Sequence, residues 1–345
     1  MKKSIFAVLI CTFLFLAACS AQKIEDVQNA TDDATDNTSV VEESVSVEED
    51  ATTRLVEHAF GTTEIPSNPE RIVSVYLEDM LLALEVPLEL AVTVGEDNYL
   101  SEEIHSRGIE TVAAGENVDF ELILEHQPDL IITMDVISQE VYDALNKIAP
   151  TIAFSRRAWQ DSLPKLGAAL GMEEKAQKII DDYAVHVTEA KEALADVLKD
   201  EPTAAAIRFT AKTMRLYFPR VRGAATRQGY VTSLYEDIGF GVEDYISQLQ
   251  QAEDPARENA QISMEVLPEL QSDYVFVIIG SAGNTSDAQS QDLTDFEEIS
   301  SSDIWAGLTA VQEDHVYYLE SRYWISDGPL ADTMKINQVV ELLTN

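Results

Sequence analysis

The chain holds only 23 lysines and arginines against 62 acids, yet five arginines crowd into one stretch of twenty residues. They are Arg208, Arg215, Arg220, Arg222 and Arg227, with Tyr217 and Tyr230 interleaved. Pro219, Gly223 and Gly229 mark residues 219–229 as a loop. Arg156, Arg157 and Trp159 follow one apolar run, and Arg322, Tyr323 and Trp324 follow another. Guanidinium groups donate several hydrogen bonds to carboxylate, hydroxamate or catecholate oxygens. Aromatic walls suit the organic shell around such oxygens. The candidate ligand-binding residues are therefore Arg156, Trp159, Arg208, Tyr217, Arg220, Arg222, Arg227, Tyr230, Arg322 and Trp324. Singly, each arginine reads as a surface residue paired with one of the many acids, and strand alternation could turn Arg208 toward solvent.

Other chemistries find less support. His58, His105, His126, His186 and His315 form no close metal-ligand pair, so no protein-held metal is expected. There is no Gly-x-Ser-x-Gly elbow, His-Glu-x-x-His pair or P-loop, and no enzymatic activity is expected. The net charge of −39 argues against nucleic acid as a partner.

The elements that position the candidates begin after a targeting segment. Lys2 and Lys3 precede an apolar run from Ile5 to Ala18, too short for a comfortable transmembrane helix. The run ends Leu16-Ala17-Ala18-Cys19, which resembles the bacterial lipobox. Cleavage before Cys19 would leave it as the sole, lipidated cysteine and take the net charge from −39 to −41. Residues 1–18 are thus read as a lipoprotein signal peptide and 19–53 as a disordered acidic tether.

From Arg54 onward, short apolar runs alternate with amphipathic stretches, the pattern of parallel strands with crossover helices. Apolar positions between Glu173 and Lys199 recur every three or four residues. Such a helix would span about 40 Å and could join two lobes as a strut. One lobe is placed at 54–171, the helix at 172–200 and a second lobe at 201–345. Phe120–Asp129 repeats as Met264–Asp273 at an offset of 144, with Glu121 and Glu265 in register. Asp119 and Ser263 precede them as N-cap residues, which puts each glutamate in a first helical turn.

Ile65-Pro66-Ser67-Asn68-Pro69-Glu70-Arg71-Ile72-Val73, Gln127-Pro128-Asp129-Leu130-Ile131-Ile132, Leu170-Gly171-Met172-Glu173-Glu174-Lys175-Ala176, Ile262-Ser263-Met264-Glu265 and Gly328-Pro329-Leu330-Ala331 occur in this order. In these segments the chain resembles the iron-siderophore and vitamin B12 solute-binding lipoproteins of ABC importers. The resemblance implies an α/β fold of two Rossmann-like lobes joined by one long helix, the class III periplasmic-binding-protein type. It implies capture of a ferric siderophore between the lobes, with haem or cobalamin as the alternative. For haem, Met80, Met134 and Tyr217 are candidate axial ligands. No cofactor is expected, iron being bound only as a siderophore complex. The resemblance further implies that Glu121 and Glu265 dock on an ABC permease dimer. The expected product is a monomer, lipid-anchored at the extracellular face of a Gram-positive type of cell membrane.

Overall fold

The computed structural model describes residues 52–115, 117–210, 213–219, 229–253, 257–281 and 286–345, with the side chains of 286–288 left aside. The chain opens with an antiparallel hairpin of β1 (Thr53–His58) and β2 (Gly61–Pro66). A five-stranded sheet follows, built from β3 (Ile72–Val75), β4 (Leu88–Thr93), β5 (Glu110–Ala113), β6 (Leu130–Met134) and β7 (Thr151–Phe154). Its order is β5-β4-β3-β6-β7, and every pairing is parallel. β3 and β7 are buried along their whole length, as continuous apolar runs in a parallel sheet should be.

The second lobe carries β8 (Ala204–Thr210), β9 (Thr213–Tyr217), β10 (Asn259–Ile262), β11 (Tyr274–Ile279) and β12 (Val316–Leu319), in the order β10-β9-β8-β11-β12. Here β8, β11 and β12 pair in parallel, while β9 pairs antiparallel with both β8 and β10. Separate apolar clusters cover the two faces of each sheet, giving an α/β two-lobe fold of the periplasmic-binding-protein type.

The repeat has a structural meaning. Asp129, just before β6, accepts backbone hydrogen bonds from Glu70 (2.9 Å) and Arg71 (3.0 Å) at the entry to β3. Asp273, just before β11, accepts from the Thr203 amide (2.7 Å) and hydroxyl (2.8 Å) at the entry to β8. Each aspartate thereby pins the start of a central parallel pair in its own sheet.

The long helix runs Glu173–Ala193, 21 residues, so it is shorter than the periodicity to Lys199 implies. Gly171, at φ 68, ends the preceding helix Trp159–Leu170. Ala176, Tyr183 and Ala190 form its buried stripe, seven residues apart. A second helix, Pro329–Thr344, also serves both lobes: Ile336 joins the first lobe's core and Val339 the second's. The sequence assigned this helix to the second lobe alone, because its periodicity does not reveal which core each face meets.

Candidate ligand-binding cleft

Residues at or beyond the carboxyl ends of six strands line one cavity of about 200 Å³. Glu78 follows β3, Asp97 and Tyr99 follow β4, and Arg156 follows β7. From the other lobe come Arg208 on β8, Ser281 after β11 and Arg322 after β12, with Tyr230 beside them. Strand ends at the point where sheet order reverses, here between β3 and β6, leave the crevice in which α/β folds bind ligands. A larger cavity of about 630 Å³ lies within the first lobe, under β1 and the helix Trp159–Leu170, and gathers none of the candidate arginines.

Arg208 and Arg322 are held by hydrogen bonds. Arg208 donates to the Gly280 carbonyl (2.7 Å), the Tyr217 hydroxyl (3.4 Å) and the Ser281 hydroxyl. It is part-buried and lines the cavity, so strand alternation does not send it to solvent. Arg322 donates to both oxygens of Glu320 and, across the cleft, to Asp97 Oδ1 at 3.2 Å. The Glu320 bond, with Asp97 behind it, raises the Arg322 pKa. Burial works against the charge on Arg156, but Tyr230, Asp327, Glu78 and Tyr99 around it outweigh that cost, and its pKa is also raised. Arg157 pairs with Glu258 of the opposite lobe and lies 5.5 Å over the Tyr230 ring.

Glu78, which lines the cavity, and its neighbour Asp79 are unlike the many surface acids. Burial lifts the Glu78 carboxyl above the ordinary range despite its backbone bonds, Arg156 and the 2.7 Å bond from Asn98. Burial pushes Asp79 up to about 7, against hydrogen bonds from Tyr99 (2.6 Å) and from the Leu330 (3.0 Å) and Ala331 (2.9 Å) amides. An otherwise strongly acidic chain thus places three guanidinium groups around one cavity.

Four candidates from the sequence meet here: Arg156, Arg208, Tyr230 and Arg322. Three others are corrected. Trp159 is 0% exposed; it donates to Asp332 Oδ2 (2.7 Å) and meets Tyr183 edge-on at 5.0 Å. Trp324 is also fully buried and donates to Gln338 Oε1 at 2.6 Å. Tyr217 lies behind the cavity wall, its hydroxyl engaged by Arg208. All three support the cleft from behind. Asp332, held by Trp159, accepts from Lys335 at 2.9 Å, and the same ammonium fixes the carbonyls of Ser326 (2.7 Å) and Tyr230 (3.1 Å). Gln338, held by Trp324, also accepts from the Glu320 amide at 3.2 Å, beside the carboxylate that aims Arg322. Arg220, Arg222, Arg227 and Cys19 lie outside the described residues.

The candidate haem ligands do not reach the cavity. Met80 sits in the first lobe's core, Met134 packs against the clusters on both faces of that sheet, and Tyr217 serves Arg208. Among the described residues no cluster of His, Cys, Asp and Glu could hold a metal ion.

Glu121 and Glu265 are both exposed. Glu121 opens the helix Phe120–Glu125, whose N-cap Asp119 accepts from Glu121 (3.0 Å) and Leu122 (3.1 Å) amides. Glu265 opens a 3-10 turn, Met264–Glu269, rather than an α-helix, with Pro268 inside it. There Ser263 bonds the Glu265 carboxylate instead of capping the backbone, and that bond holds the carboxyl below its ordinary range.

Sequence reasoning missed Glu78, Asp97, Tyr99 and Ser281. Glu78-Asp79 and Gly95–Tyr99 do follow apolar strands directly, and that position is the signal that could have found them.

A family model described as periplasmic binding protein matches residues 72–323. The probable siderophore-binding lipoprotein YfiY of Bacillus subtilis is 27% identical over 285 residues, covering 80% of this chain and 83% of that one. The iron(3+)-hydroxamate-binding protein YxeB of Bacillus subtilis is 23% identical, covering 99% and 97%. The structure of Staphylococcus aureus SirA complexed with staphyloferrin B is similar with a TM-score of 0.71 and 26% identity, covering 84% of this chain and 98% of that one. From the two-lobe fold, the cleft at its strand ends and the extent of the family match, this chain belongs to the periplasmic binding protein family.

Proposed function

We propose that this chain is a lipid-anchored solute-binding protein that captures a ferric siderophore between its lobes and hands it to an ABC permease. The observation that carries the reading is the convergence of Arg156, Arg208 and Arg322 with Tyr99 and Tyr230 on one inter-lobe cavity. Their guanidinium groups match the oxygen-rich surface of a ferric chelate, and iron needs no protein ligand when it arrives already wrapped. The names of YfiY, YxeB and the SirA complex support a siderophore as the class of ligand. Glu121 and Glu265, exposed at equivalent points of the two repeats, serve as the permease-docking pair, one to each subunit. Cys19 carries the lipid, and the chain acts as a monomer at the extracellular face of the membrane, by binding and without catalysis.

Calorimetric titration of the purified chain with ferric hydroxamate, carboxylate and catecholate siderophores, and with haem, tests this. Saturable binding of one ferric class is expected. Binding of haem with a Soret band, or of no ferric chelate, contradicts it.

A further inference from the structure

The cavity of about 200 Å³ is smaller than the roughly 300–1,000 Å³ of sites that take drug-sized ligands. A ferric chelate therefore enters only if the cleft widens, and the contacts that cross it must yield. Among the described side chains, such contacts include three polar ones. Arg157 pairs with Glu258, Ser326 Oγ lies 3.4 Å from the Tyr99 hydroxyl, and Arg322 Nη1 lies 3.2 Å from Asp97 Oδ1.

They are not equally easy to break. Glu258 is largely buried, and burial raises its pKa even beside Arg157. Asp97 and Arg322 have side chains 56% and 40% exposed, so water and salt screen their attraction. Arg322 also has two kinds of partner. Glu320 stands two residues before it and takes Nε and Nη2, fixing the plane of the guanidinium from within the same lobe. Only Nη1 reaches across the cleft to the other lobe, and there an aspartate occupies it. Widening the cleft pulls Asp97 away and leaves Nη1 aimed at the incoming ligand.

We propose that Asp97 is an exchangeable counter-anion on Arg322, and that a ferric chelate bearing a free carboxylate takes its place on Nη1. The proposal rests on the reading of the cleft as a ferric-siderophore site and adds the class of chelate it selects. A carboxylate matches the fork of a guanidinium and restores the charge pairing lost when Asp97 leaves. A neutral chelate breaks the same contact and returns no charge. Asp97 therefore sets a threshold that only an anionic ligand repays, and it competes with that ligand for one donor.

The test uses ferric citrate as the anionic probe and a neutral ferric trihydroxamate as the control. They are titrated into the whole chain and into Asp97→Asn, Arg322→Gln and the double variant, with melting checked for each. Loss of one exposed ion pair should tighten ferric citrate about two- to fivefold in Asp97→Asn. That gain should vanish when Arg322→Gln is also present, and Arg322→Gln alone should weaken ferric citrate relative to the trihydroxamate, which makes no charge pair there. Weaker citrate binding in Asp97→Asn overturns the proposal, because it makes Asp97 a ligand contact. A gain that survives in the double variant overturns it as well, since Arg322 would then play no part. If the unaltered chain binds only the trihydroxamate, the selectivity proposal fails while the ferric-siderophore reading stands. If it binds no ferric chelate at all, the reading itself falls.

Discussion

The carboxyl group of Asp79 fills the space that a side chain at Gly328 would occupy. Gly328 stands at φ 148, in the region open mainly to glycine, and leads directly into the helix Pro329–Thr344. Asp79 then accepts from the first free amides of that helix, at Leu330 and Ala331, and so joins the helix Glu78–Ala83 to an element some 250 residues later in the chain.

Gly328→Ala should therefore destabilise the chain by more than an ordinary glycine substitution. Backbone strain at such a position costs about 1–3 kcal/mol, and displacement of the Asp79 cap adds to it. Denaturant unfolding checks this, and a variant as stable as the parent would show that the cap is not required.

Asp79 also makes stability depend on pH. Its carboxyl titrates near 3.8 when solvated and is pushed up to about 7 in the fold by burial, with the negative charge of Asp332 as a smaller contribution. Between those values the folded chain holds a proton that the unfolded chain has lost. Stability from this group is full below about pH 4 and falls as pH rises through about 7. The raised acids Glu78, Glu258 and Asp327 act in the same direction. Unfolding of the parent and of Asp79→Asn, compared near pH 5 and near pH 8, should show a shallower loss of stability in the variant. Equal slopes would assign the pH dependence to other groups.

Docking separates from binding. Charge reversal at Glu121 and Glu265 together should abolish iron import in cells and leave chelate affinity within about twofold, because both residues are exposed and neither lines the cleft. Normal import by the double reversal would end the docking assignment, and lost affinity would place these residues at the ligand.

The parts of this architecture that were legible in the sequence are those with a local or repeating signal. Most strands showed as apolar runs, though β1, β2, β5 and β10, of mixed composition, did not, and the 144-residue repeat marked Asp129 and Asp273 at equivalent strand entries. Arg156, Arg208 and Arg322 stood out because basic residues are rare here. Trp159 and Trp324 were misplaced because following a strand does not decide which way a side chain turns. Trp159 opens a helix and finds Asp332, 173 residues away. Trp324 finds Gln338 one helix later. Glu78 and Tyr99 were hidden among many acids and aromatics, and the meeting of Tyr99 with Ser326, 227 residues away, has no local signal.

The decisive measurement is the affinity of the chain's preferred ferric siderophore for Arg156→Gln and Arg208→Gln, singly and together, with folding verified by melting. A charge-assisted hydrogen bond to a ligand oxygen contributes about 1.5–3 kcal/mol, so each variant should bind roughly ten- to a hundredfold more weakly, and the pair more weakly still. A folded double variant that binds as tightly as the parent would place the ligand outside the inter-lobe cleft.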